Sequence, residues 1–82
     1  MPHVVVAGGD CARFTGEVTA FDVEADTVRR LIAELDARYP GFGEFIDRRM
    51  AISIDGVIHQ DAGHVPLTPA SEVYLIPRIG GG

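Results

Sequence analysis

The sequence predicts an α+β domain in which a mixed sheet of four to five strands packs on one main helix. Three observations carry this. His3-Val4-Val5-Val6-Ala7 near one end and Glu72-Val73-Tyr74-Leu75-Ile76 near the other are β-branched or aromatic runs of strand length. Val28, Leu31, Ile32 and Leu35 recur at the spacing of one apolar helical stripe. Asp55-Gly56 separates two short apolar segments, as a two-residue hairpin turn does. A sheet this small must lay that helix across one face to enclose a core.

In chain order, the first strand ends at Gly8-Gly9-Asp10, a breaker. A second strand is expected over Glu17–Val23, with Val18, Ala20 and Asp22 on one face and Glu17, Thr19, Phe21 and Val23 on the other. The 8–16 loop would let it pair antiparallel with the first. Asp26 or Thr27 can cap the helix, because either side-chain oxygen accepts an orphan backbone N–H. Arg30 and Glu34, four apart, can pair on its solvated side. Tyr39-Pro40-Gly41 stops it. Phe42, Phe45 and Ile46 have helical spacing, so residues 42–49 read as a short helix or a turn. Ala51-Ile52-Ser53-Ile54 alternates as a strand, and Val57-Ile58-His59 returns beside it. Residues 60–71, with Gly63, Pro66 and Pro69, read as loop; Pro77 ends the last strand, and residues 78–82 read as a flexible tail on a 1–77 domain. This ββαβ(β)β order is that of a β-grasp.

Composition narrows the function. The 82 residues allow one domain, which buries roughly 60–65% of its unfolded surface. A hydrophobic content of 46% suffices for a core. The apolar clusters are all far shorter than the ~20 residues of a membrane span, and Met1-Pro2-His3 has no signal-peptide character. A single cysteine, Cys11, leaves no internal disulfide and fits a reducing cytoplasm, the expected location. A net charge of -5 argues against nucleic acid. Every basic residue is an arginine, so Schiff-base chemistry and self-conjugation through lysine are closed to the chain.

Side-chain constellations point away from a stand-alone enzyme. Cys11, His3, His59 and His64 show no ligand spacing for a metal, and none is expected. Asp22, Glu24 and Asp26 precede the helix, where carboxylates suit its N-terminal dipole. Arg48-Arg49 reads as a solvated pair. Gly8-Gly9-Asp10 lacks the pattern of a phosphate loop. Arg13 and Phe14 take no role. No nucleophile–base or paired acid–base set emerges, so no catalytic residue is expected.

The C-terminal stretch carries the most information. Val65-Pro66-Leu67-Thr68-Pro69-Ala70-Ser71-Glu72-Val73, then Tyr74-Leu75-Ile76-Pro77, a short spacer and Gly81-Gly82, resembles the ending of the MoaD/ThiS sulfur carriers. The resemblance extends over nearly the whole chain, and in length it is closest to the molybdopterin synthase small subunit. Arg78 stands where a second proline is usual, and Gly80 precedes the final pair. The resemblance implies a ubiquitin-like β-grasp with parallel first and last strands at the sheet's centre. It also implies a function: an E1-like adenylating enzyme activates the carboxylate of Gly82 with ATP, and sulfur replaces AMP to give a thiocarboxylate. That thiocarboxylate feeds the large subunit of molybdopterin synthase or an analogous acceptor. The chain is then a co-substrate with no permanently bound cofactor. Sulfur delivery to thiamine, cysteine or another metabolite, or conjugation of Gly82 to protein lysines, fits the same tail, as does a plain binding module with an incidental tail.

Physical reasons support such a tail. Gly80, Gly81 and Gly82 present no Cβ to a partner's channel. The residues after Pro77 can span at most roughly 17 Å. Ordering them opposes binding, so the domain needs a docking surface of its own. Tyr74 and Ile76 share one face of the last strand, opposite Val73 and Leu75. With Ile58 and Arg78 they form the candidate partner surface if Val73 and Leu75 face the helix; with the faces reversed, Ile58 and Ile76 are core.

Overall fold

The computed structural model describes residues 1–7, 11–59 and 63–78. Five strands, β1 (His3–Val6), β2 (Ala20–Asp22), β3 (Met50–Ile54), β4 (Val57–His59) and β5 (Glu72–Pro77), form one sheet in the order β2-β1-β5-β3-β4. β1 and β5 are parallel; the other pairs are antiparallel. β5, the last strand made, therefore lies at the centre. Among the described residues, three helices accompany the sheet: α1 (Ala12–Thr15), α2 (Val28–Arg38) and α3 (Phe42–Arg49). The arrangement is a β-grasp.

α2 forms where the apolar stripe predicts it. Val28, Leu31 and Leu35 are fully buried beneath it, with Ile32 partly so. Thr27 is the N-cap, its Oγ1 accepting the Arg30 amide at 3.2 Å. The 63–67 segment completes the cap. Val28 and Arg29 donate their amides to the carbonyls of Val65 and Gly63, and Leu67 donates back to Asp26. A stretch that the sequence presents as loop thus satisfies amides that every helix start leaves open. Arg30 and Glu34 pair at 3.3 Å as their spacing predicts.

The ambiguous 42–49 stretch is a helix. Gly41, at φ 93°, turns the chain into it, a left-handed conformation that suits glycine. Asp36 Oδ1 accepts the amides of Gly41 and Gly43 at 3.1 and 3.0 Å, fastening α3 to α2. Phe42 and Ile46 enter the core. The expected 8–16 loop contains the one-turn helix α1, which sets Phe14 against Phe42 with ring centroids 5.1 Å apart. Arg13 lies over the rings of Phe14 and Phe45. Residues 17–19 lie outside β2, so the second strand is shorter than predicted, but its facing is as expected: Phe21 is buried and Ala20 and Asp22 exposed. Asp55 and Gly56, at φ 49° and 88°, make the two-residue hairpin turn.

The core settles which way the sheet faces. Val4 and Val6 of β1, Val73 and Leu75 of β5 and Met50, Ile52 and Ile54 of β3 join the helix residues in one buried cluster. Their alternate neighbours make up the other face of the sheet, which no helix among the described residues covers.

Candidate functional site

The residues singled out by sequence gather at the end of β5 and on the open face. Strand register aligns one row across all five strands: Ala20, Val5, Tyr74, Ser53 and Ile58. Tyr74 is 44% exposed and Ile58 61%. Ile76 lies one step along, opposite Ala51, and is half-buried. Val5, Ala51 and Ser53 belong to the same face; alternation in β1 and β3 was the signal that could have named them. At one margin the row Asp22, His3 and Glu72 is polar, with His3 Nδ1 3.1 Å from Asp22 Oδ1. The face is thus a small apolar strip with a charged border, which can bury against another protein.

At the exit of β5, Pro77 pairs with Met50. Arg78 donates its amide to Arg49 O, across that pair. The Met50–Pro77 pair is therefore of the non-hydrogen-bonded kind, so Pro77 forfeits no ladder bond to β3. On the β1 side, where Ala7 donates to Leu75 O, position 77 would be the next donor, and a proline there ends the parallel ladder. The Arg78 side chain donates through Nε to Met50 O and through Nη2 to Asp47 O, both at 3.0 Å. The expected tail thus starts from a residue tied to the α3–β3 junction. Gly80, Gly81 and Gly82 lie outside the described residues.

Among the described residues, the remaining candidates form no cluster of metal-ligand type. Cys11 is 3% exposed, with its Sγ 3.5 Å from Met50 Sδ. Asp22 pairs with His3, whereas Glu24 and Asp26 line an open cleft beside Arg30, Leu67 and Pro69. Arg48 pairs with Glu44 at 3.1 Å. Among the described residues, no three His, Cys, Asp or Glu side chains converge as metal ligands. No helix among them is long and apolar enough to cross a membrane. Gly8, Gly9 and Asp10 lie outside the described residues.

Comparison with known proteins agrees with this geometry. The sequence profile of the ThiS family matches residues 6–82, from within β1 through the final glycine. The chain belongs to the ThiS family of sulfur carriers. Two solved structures share its fold. Mycobacterium tuberculosis CysO, described as an antigen, superposes with a TM-score of 0.83 at 17% identity, over 96% of this chain and 100% of that one. A chain of the Amycolatopsis orientalis BexX/CysO complex superposes with a TM-score of 0.83 at 13% identity, over the whole of both chains. No curated protein sequence matches the chain.

Proposed function

We propose that this family member carries sulfur as a thiocarboxylate on Gly82 and acts as a co-substrate with no catalytic residues of its own. The observation that supports it most is the family match running unbroken to Gly82, combined with a β5 that ends at Pro77 beside an uncovered apolar face. An E1-like adenylating enzyme joins the Gly82 carboxylate to AMP, releasing pyrophosphate from ATP. Sulfide then displaces AMP to give the thiocarboxylate. Its sulfur attacks the acceptor and displaces the acceptor's leaving group, and water cleaves the resulting acyl–sulfur bond, which leaves the sulfur on the acceptor and returns the Gly82 carboxylate. The strip of Tyr74, Ile76 and Ile58 docks the domain against the activating enzyme and the acceptor in turn, and glycines without side chains thread the partner's channel.

The acceptor anticipated from chain length, with its extra residues around 40–50, is the large subunit of molybdopterin synthase. The likeness to two structures named CysO favours a second acceptor, in the synthesis of cysteine or another sulfur-containing metabolite. Deleting Gly82 tests the carrier role. The truncated chain is expected to keep its circular dichroism spectrum and lose thiocarboxylate formation; thiocarboxylation at the wild-type rate in that truncation would defeat the proposal. Offering the charged carrier to a molybdopterin synthase large subunit separates the two acceptors, since only the first predicts sulfur transfer.

A further inference from the structure

Arg78 makes three hydrogen bonds to one junction. Its amide donates to Arg49 O, its Nε to Met50 O and its Nη2 to Asp47 O, each at 3.0 Å. Asp47 and Arg49 are in the last turn of α3, where carbonyls lack helical donors and the dipole favours a cation. Met50 begins β3, the strand beside β5. A single residue thus ties the end of the central strand to both the helix end and the neighbouring strand. The planar guanidinium can meet two carbonyls at once from a fixed fork of donors; an ammonium is a point charge and cannot hold that fork.

We infer that Arg78 is a positioning residue, whose brace onto the α3–β3 junction fixes the point and direction at which the chain leaves β5. The inference rests on the carrier function proposed above. Four residues can span at most about 14 Å, so the place of residue 78 bounds the region in which the Gly82 carboxylate can meet a partner's active site. A loosened exit lowers the fraction of docked carriers whose carboxylate sits in attack geometry, which reduces turnover more than binding. Docking is separable, because Tyr74, Ile58 and Ile76 take their places from the strand register.

Two measurements test the brace. In the free full chain, the residue-78 amide of Arg78→Ala is expected to exchange its hydrogen about tenfold faster than in wild type, with the Leu75 amide unchanged as control. Equal rates at residue 78 overturn the brace. With the adenylating enzyme recovered on the full chain, Arg78→Ala is expected to lower kcat for thiocarboxylation about tenfold, leave KM for the carrier within about twofold, and not be rescued by Arg78→Lys. A wild-type kcat in Arg78→Ala overturns the positioning role, as does a loss confined to KM, which would make Arg78 a docking contact. A wild-type chain that is never thiocarboxylated overturns the carrier function and the purpose given to the brace, while the exchange rates still decide whether the brace exists.

Discussion

Thr27 and Asp36 each do with one side-chain oxygen what the backbone around them cannot. Thr27 Oγ1 accepts an amide that the start of α2 leaves open. Thr27→Ala should lower stability by about 1 kcal/mol, read as a shift of the urea midpoint at unchanged slope. Asp36 Oδ1 serves two amides, Gly41 and Gly43, at the turn between helices. Asp36→Ala leaves both without that acceptor and should lower stability by about 1–3 kcal/mol; a midpoint within error of wild type would show that water replaces the carboxylate freely. Thr27 was legible in the sequence as one of two candidate caps, because a cap needs only a residue type at a helix start. The role of Asp36 was not, since its acceptor geometry depends on where Gly41 and Gly43 fold back. Arg78 was named in the sequence as part of the partner surface, but its contacts were hidden for the same reason: its partners are backbone carbonyls, which every residue has and no residue type advertises.

Among the elements, the regular ones announced themselves. α2 shows apolar spacing from Val28 to Leu35, and the β3–β4 hairpin shows alternation around Asp55-Gly56. α1 spans only four residues, too few for any periodicity to register. The 63–67 segment pairs with α2 through main-chain groups alone, so its glycine and proline content pointed to loop and nothing more. For β5, alternation separated Val73 and Leu75 from Tyr74 and Ile76 without saying which pair was buried. Packing against α2 and α3 decides it: Val73 and Leu75 are fully buried. The open face leads to the element-scale expectation. Tyr74→Ala and Ile58→Ala, both at exposed positions, should change stability by no more than about 0.5 kcal/mol each. Together they should weaken capture of the activating enzyme at least about tenfold in a binding titration. Unaltered capture would move the docking surface elsewhere.

As a whole molecule, the protein is built on a five-stranded sheet whose last strand lies at its centre. Placing β5 between β1 and β3 gives the exit of the chain the firmest available anchorage, since both of its edges are paired. Truncating the core beneath it should be felt globally: Leu75→Ala is expected to cost about 2–5 kcal/mol, measurable in the same urea series. The absence of lysine has a consequence at this scale. An activated carboxyl reacts readily with amines, and the 82 residues offer no ε-amine to capture it. The chain is therefore expected to form no lysine-linked chains of itself. A carrier, unlike a modifier, is further expected to leave no adducts on the lysines of other proteins, and a ladder of adducts on denaturing gels of cell extract would favour the modifier function.

The central claim is that the carboxyl group of Gly82 is the working group. Whole-protein mass spectrometry of the natural chain, incubated with its adenylating enzyme, ATP and a sulfur donor, tests it most directly. The account predicts a gain equal to the exchange of one oxygen for one sulfur, mapping to Gly82. An unchanged mass, a sulfur mapped to Cys11, or a natural chain that runs on beyond Gly82 would contradict it.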